Sequence, residues 1–292
     1  MAKKLRVSEI FGGYDPGSIP VIQGEGKHVG TSSIFVRLFG CNLRCPGFGI
    51  PNYPVGYKNK EVESIVENLS NYKTLAELPP VLTGCDTYYS VYPEFKQFSR
   101  DYTVNELVAE LDDRRHSKYK EPHIVFTGGE PLLWQSVLID VIKELSMLGH
   151  KNVTFETNGT VVLLPTFIAA LTESGMSITW SVSPKLLLSG HVRSDTLDSG
   201  ALRSYNQVPN SSLYLKFVVN SDVTDIKEVL EFIKQYSLDG VDIEDVYLMP
   251  EGGRYDERFK KNQRHVIELC VETGFKYSPR LQVEMFDNCI GS

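Results

Sequence analysis

Basic charge is scarce in this 292-residue chain: 30 Lys and Arg stand against 37 Asp and Glu, for a formal net charge of −7. Without a dominant basic field there is little counterion release to gain, which argues against broad adhesion to nucleic acid or to a membrane surface. It leaves room for a local basic pocket that takes a small anion. Long apolar runs are absent too, since none approaches the ~18 residues that suggest a membrane span. The segment Met1-Ala-Lys-Lys-Leu-Arg6 is basic but lacks the apolar stretch of a signal peptide. Cysteine is sparse and odd in number, at five, which does not read as a disulfide framework. A reducing compartment with free thiols fits better, and a cytoplasmic setting is the expectation. The histidines (His28, His116, His123, His150, His191 and His265) are scattered, without triad order or HExxH spacing. Hydrolytic chemistry therefore has no visible machinery.

What is present is an ordinary globular composition, 41% hydrophobic and 23% charged, in a chain long enough to bury a substantial core. Strand-like apolar runs alternate with helix-like segments. Ser33–Phe39 comes first; His123–Thr127 leads into a helix over Pro131–Leu148; Asn152–Glu156 precedes a helix over Pro165–Ser174. Ser177–Ser183 follows, then Leu213–Val219 before Asp222–Tyr236, and Asp245–Met249 before Asp256–Thr273. Repeated units of this kind predict an α/β fold with a parallel sheet. Six such strands predict a partial (β/α)6 barrel in a single domain, residues 1–292. The stretch Pro46–Gly84, rich in Pro, Gly, Asn and Tyr with a short helix over Lys60–Asn71, breaks the rhythm. It reads as an insertion in a loop. In barrels of this type the chemistry gathers at the strands' C-terminal ends, where the polar motifs fall.

The first motif is a set of thiols. Cys41-Asn-Leu-Arg-Cys45 is a CxxxC directly after a strand-like run, and Cys85-Asp86-Thr87 closes the insertion. Soft anionic sulfur suits an Fe–S cluster. Three such ligands would hold three irons of a [4Fe–4S] cluster and leave the fourth for a substrate-like ligand. Zinc is the second possibility, although no histidine lies nearby in sequence to complete a tetrahedral site. Cys270 and Cys289 read as structural. Thr127-Gly128-Gly129-Glu130-Pro131 lets the backbone approach a ligand closely, and Glu130 is placed to pair with an ammonium. Glu156-Thr157-Asn158-Gly159-Thr160 ends a strand with groups suited to ribose hydroxyls or a substrate edge, and Ser181-Val-Ser183-Pro184-Lys185 ends another with a hydroxyl and an ammonium suited to a carboxylate or a ribose. In Ile22-Gln23-Gly24-Glu25-Gly26 the side chains offer the donors and acceptors that a purine-like heterocycle needs. Arg37 offers a bidentate fork to a carboxylate. The Tyr88–Tyr92 aromatics read as packing or a lid.

Together these segments resemble the radical S-adenosylmethionine superfamily and, within it, the 7-carboxy-7-deazaguanine synthase family. Further stretches that fit are Glu9-Ile-Phe11, Leu215-Lys216-Phe-Val-Val219, Tyr247-Leu-Met-Pro-Glu251 and Arg280-Leu-Gln-Val-Glu284. The usual CxxxCxxC of the superfamily would place its third cysteine at Phe48; the Asp-Thr that normally follows that ligand instead follows Cys85. The resemblance implies conversion of 6-carboxy-5,6,7,8-tetrahydropterin to 7-carboxy-7-deazaguanine with loss of ammonia, started by a radical derived from S-adenosylmethionine. By the same resemblance, Cys41, Cys45 and Cys85 hold the cluster. Asp86, Gly128, Gly129, Glu130, Thr157, Ser183, Pro184 and Lys185 bind S-adenosylmethionine, with Met249, Pro250, Glu251 and Gly252 lining its adenine. Ile22, Gln23, Gly24, Glu25, Arg37 and Thr127 bind the pterin, and Thr87 serves a Mg²⁺ ion. A flavodoxin or ferredoxin as electron donor and a homodimer are implied as well, with no nucleic-acid or membrane partner. Two rival expectations stand beside these: a radical activase acting on a partner protein, and a relative without a cluster or enzymatic activity.

Overall fold

Each of the six apolar runs becomes a strand, and three further strands flank them. In chain order the strands are β1 Lys4–Gly12, β2 Ser33–Leu38, β3 Arg100–Thr103, β4 His123–Gly128 and β5 Asn152–Thr157. They continue with β6 Ser177–Val182, β7 Ser211–Val219, β8 Asp245–Pro250 and β9 Lys276–Tyr277. The computed structural model describes residues 3–15, 19–50, 53, 58–115, 121–221, 223–253 and 257–291. It places all nine strands in one sheet of order β3-β1-β2-β4-β5-β6-β7-β8-β9. Strands β2 and β4 to β9 pair in parallel, whereas β1 runs antiparallel to both β2 and β3. The expected six-strand α/β architecture is thus present as an open sheet, extended at one edge by an antiparallel pair and at the other by β9.

Helices Gln135–Met147, Pro165–Ser174, Val223–Leu238 and Glu257–Thr273 connect the parallel strands. The helix from Pro165 follows local rules: proline in the first turn and Gly175 at φ 64° as a left-handed terminator,. The helix expected from Pro131 instead opens with a 3₁₀ turn, Pro131–Trp134, because the Glu130 carboxylate caps the amide of Leu132. Asp222 and Asp256, the expected starts of two helices, lie outside the described residues. Helix Val104–Asp113 is additional to the expected set; Thr103 and Glu106 form a reciprocal capping box at its start,.

Alternation along the strands separates core from cavity. Phe126, Phe155 and Trp180 are in register on β4, β5 and β6 and stack in sequence at centroid separations of 5.4 and 5.0 Å, with Tyr205 continuing the row at 4.8 Å. Each such pair adds about 0.5–1.5 kcal/mol beyond its burial. The next residues, Thr127, Glu156 and Ser181, point to the opposite face, as a two-residue period requires. The aromatic row therefore fixes the strand ends from behind while polar residues line the cavity in front.

The stretch Pro46–Gly84 shares a second, small core with the residues that follow it. Val62, Ile65, Leu78 and Val81 pack with Tyr88, Tyr89 and Phe95, and Ile290 joins at the edge. The Tyr88–Tyr92 segment is accordingly packing. The expected helix over Lys60–Asn71 divides into helix Lys60–Glu67 and a 3₁₀ turn, Leu69–Asn71.

Candidate active site

The C-terminal strand ends surround a cavity of about 300 Å³. Its walls include Gln23, Glu25, Arg37, Thr127, Glu156 and Lys216, together with all three thiols of the first motif. The insertion brings Cys85 back to the CxxxC. Gly84 donates its amide to the carbonyl of Phe48 at 2.8 Å, and Gly47 donates to Ser189 at 2.9 Å. Cys45 takes a left-handed φ of 44°, a conformation that costs a non-glycine residue about 1–2 kcal/mol. Its amide is held by His191 Nε2 at 3.1 Å, and burial keeps that imidazole neutral and able to accept. No sequence signal marks His191 for this position.

The thiols influence one another. Burial pushes Cys41 up to about 11, with Glu130 and Cys85 adding to the rise. Burial also raises Cys45 and Cys85; Cys41 and Cys85 both act on Cys45. Lys185 opposes the rise at all three sulfurs. Leu43 N donates to Cys41 Sγ at 3.4 Å, and Thr87 Oγ1 lies 3.4 Å from Cys85 Sγ. Among the described residues, no three His, Cys, Asp or Glu converge closely enough to hold one metal ion. Three thiols share one cavity, and a thiolate at Cys85 would raise both Cys41 and Cys45, so soft sulfur is available there for a cluster. Metal charge would supply what deprotonates them. The residues present fit a [4Fe–4S] group.

The Gly-Gly turn is built for close approach. A Cβ at Gly129 would lie 2.1 Å from the Gly40 carbonyl oxygen and 3.0 Å from the Cys41 Cβ. Gly128 adopts φ 122° against the backbone of Leu38. Glu130, in contrast, lies behind the cavity wall and is fully buried. Its carboxylate accepts from Leu132 N at 3.1 Å, Thr157 Oγ1 at 2.8 Å and Asn158 N at 2.8 Å. Burial lifts its pKa to about 7 against those three donors. In place of the expected ammonium partner, Glu130 is the post that ties the Gly-Gly turn to the end of β5. Pro184 and Pro250 are likewise buried behind the wall, whereas Ser183, Lys185, Met249, Glu251 and Gly252 line it.

On the same cavity, Glu25 is the hub of a charged network. Its Oε2 pairs with Lys216 Nζ at 2.5 Å; Gln282 Nε2 donates to Oε1, and Arg280 Nε lies 3.7 Å away. Burial would raise the Glu25 carboxyl, but Lys216 and Arg280 outweigh it and hold it at about 2. Gln23 Nε2 donates to Glu156 Oε1 at 3.1 Å, and Thr127 Oγ1 donates to Glu156 Oε2 at 2.7 Å. Ile22 and Gly24 complete this wall. Asp86, on the cavity wall, pairs with Arg280 Nη2 at 2.8 Å.

Arg37 is stacked between Phe11 and Tyr89, with its guanidinium carbon 5.3 and 5.9 Å from the two ring centroids. Its Nε donates to Glu9 Oε1 at 2.6 Å, and Tyr89 hydroxyl donates to the same oxygen at 2.7 Å. Burial works against its charge, but Tyr89 and Glu9 prevail and the pKa moves upward. Lys216, Arg280, Gln282, Glu9 and Tyr89 were given no site role by sequence reasoning, whereas Glu156 stands in a motif that was. A lysine inside the apolar run Leu213–Val219 is a usable signal; the others carry none locally.

Similarity to known proteins agrees with this arrangement. A family model described as the radical SAM superfamily matches residues 83–185. The match opens where the insertion ends and closes on Lys185. The chain is 28% identical to 7-carboxy-7-deazaguanine synthase of Halobacterium salinarum, over 94% of this chain and 93% of that one. It is 29% identical to the protein of that name from Hyperthermus butylicus, over 96% and 92% of the two chains. With its counterpart in Pyrobaculum aerophilum it shares 27% identity over 99% and 97%. Open parallel sheet, thiol-lined cavity and these similarities point the same way: residues 83–185 match the radical SAM superfamily, and the chain along nearly its whole length is similar to 7-carboxy-7-deazaguanine synthases.

Proposed function

We propose that this chain converts 6-carboxy-5,6,7,8-tetrahydropterin to 7-carboxy-7-deazaguanine, with loss of ammonia, in 7-deazapurine biosynthesis of the queuosine type. The observation that carries this reading is one cavity whose lining holds three thiols, a buried cationic fork at Arg37 and an ionised Glu25. A radical activase of a partner protein would need no such pairing.

Cys41, Cys45 and Cys85 would hold the [4Fe–4S] cluster, and Gly128, Gly129, Ser183 and Lys185 the amino-acid end of S-adenosylmethionine. Bound together, these two groups supply the carbon radical that removes hydrogen from the substrate. The protein's own residues do the rest by orientation. Arg37 takes the substrate carboxylate as a bidentate fork, its Nε already committed to Glu9. Glu25, Gln23 and Gln282 read the amino-pyrimidinone edge, with Glu25 ionised to accept from its N–H groups. Lys216 and Arg280 keep that carboxylate charged while the site is closed to water. The apolar strip Pro79–Leu82 from the insertion forms one wall and excludes solvent from a reactive radical.

The family resemblance extends the reading to Mg²⁺ at Thr87, an electron donor of flavodoxin or ferredoxin type, a homodimer and a cytoplasmic setting. No helix among the described residues is long and apolar enough to cross a membrane. Anaerobic turnover of the carboxylated tetrahydropterin with S-adenosylmethionine tests the proposal. Formation of 7-carboxy-7-deazaguanine and 5′-deoxyadenosine is expected; cleavage of S-adenosylmethionine without the deazaguanine would overturn the substrate assignment.

A further inference from the structure

We infer that Asn59, inside the insertion, is the positioning residue that returns Cys85 to the cysteine pair; the inference rests on reading the three sulfurs as cluster ligands. Asn59 is only 4% exposed, and both ends of its carboxamide are used. Oδ1 accepts from Glu61 N at 3.0 Å and Val62 N at 3.1 Å, capping helix Lys60–Glu67. Nδ2 donates to the Thr83 carbonyl at 2.7 Å and lies 3.4 Å from Thr83 Oγ1. Capping explains the first half alone, since Asp or Ser caps as well as Asn. The second half ties the entrance of the insertion helix to the residue two positions before Cys85.

Glu61, in the first turn of the same helix, adds a second tie. Its Oε2 accepts from Leu82 N at 2.8 Å and its Oε1 from Thr83 hydroxyl. Gly84 passes between these contacts and the core, at φ 78°, where a Cβ would meet Asn59 Nδ2 at 2.2 Å. Its amide then reaches Phe48. Residues 82–84 are thus clamped between the insertion helix and the cluster loop. Downstream of Cys85, Tyr88 packs in the small core that seats the same helix through Val62 and Ile65. One short helix controls the chain on both sides of the distant sulfur. Without it, closing so long a loop would leave Cys85 many alternative positions. The insertion is therefore part of the cluster-binding apparatus.

The test compares reconstituted wild type with Asn59→Asp, Glu61→Ala and Cys85→Ala, anaerobically, by the rate of iron release to a chelator and by thermal unfolding. Asn59→Asp keeps the cap but replaces the donor to Thr83 with an acceptor. Its melting temperature is expected to stay near wild type while iron release accelerates on the order of 10-fold, the usual scale for a lost supporting contact. Glu61→Ala is expected to accelerate release through the other tie. Wild-type release from Asn59→Asp, with iron lost from Cys85→Ala, would overturn the role of Asn59 and leave the ligand assignment intact. Full iron retention in Cys85→Ala would instead remove the ligand assignment itself. If Asn59→Asp fails to fold, Glu61→Ala decides, and wild-type release from it would overturn the inference.

Discussion

The amide of Gly84 donates to the carbonyl of Phe48 at 2.8 Å, so the chain leaves and re-enters the cluster loop at one place. Phe48 is where a CxxxCxxC pattern would carry its third cysteine, and Cys85 follows Gly84 directly. On the proposal that Cys85 is the third cluster ligand, the stretch Pro46–Gly84 displaces that sulfur in sequence and the bond to Phe48 brings it back to the same neighbourhood. A glycine is required there, because its φ of 78° and the nearby Asn59 side chain leave no space for a Cβ.

Gly129→Ala should damage the site from the other side. The added methyl would meet a backbone oxygen, Gly40 O, at 2.1 Å, and a backbone atom cannot swing aside. Overpacking of this kind costs roughly 1–3 kcal/mol. Equilibrium binding of S-adenosylmethionine to the reconstituted protein is expected to weaken markedly; unchanged binding would show that the turn does not face the cofactor.

Arg37→Lys removes the planar fork and its bond to Glu9 while keeping a charge. A lost hydrogen bond to a charged group is worth about 1.5–3 kcal/mol, so KM for the carboxylated pterin should rise roughly 10- to 100-fold. Glu9→Gln and Tyr89→Phe, which loosen the same side chain while leaving its guanidinium in place, should give smaller rises in KM with kcat little altered. Equal effects on a pterin lacking the carboxylate would contradict this assignment.

Glu25 contributes stability that depends on pH. Its carboxyl is displaced from 4.5 to about 2 on folding, which corresponds to on the order of 3 kcal/mol. A lowered carboxylate pKa stabilises above the unfolded value and loses that contribution as pH falls through the folded value. The stability difference between the protein and Glu25→Gln, measured by urea unfolding, should be flat from neutral pH to about 5. It should then shrink from about 4.5 downward. A constant difference across that range would show that Lys216 and Arg280 do not hold the charge.

Lys216→Met leaves Glu25 buried beside one fewer cation. Breaking a buried pair by removing a single partner typically costs about 3–5 kcal/mol. Adding Glu25→Gln to Lys216→Met should recover part of that loss, and a double-mutant cycle reads the coupling. Strict additivity would mean that the two side chains do not act as a pair.

Much of the parallel sheet was legible because its strands are continuous apolar runs with helices between them, as Ile124, Val125 and Phe126 illustrate. The antiparallel β1 was not, since Lys4–Gly12 mixes charges into its alternation and lies between β2 and the edge strand β3. Arg37, Glu25 and the three thiols, singled out by their motifs, all lie on the cavity wall. Glu130 sits in the expected turn yet spends both carboxylate oxygens on the backbone and Thr157, a choice made by burial. Arg280 and Gln282 reach Glu25 only because the chain after β9 folds back over the cavity. No local pattern encodes such a long-range return.

Electron paramagnetic resonance of the anaerobically reconstituted, reduced protein, wild type against Cys85→Ala, tests the central claim most directly. Wild type is expected to show a [4Fe–4S]⁺ signal that shifts when S-adenosylmethionine is added, and the variant to lose both. An unaltered signal and shift in Cys85→Ala would mean that the third sulfur of the site lies elsewhere.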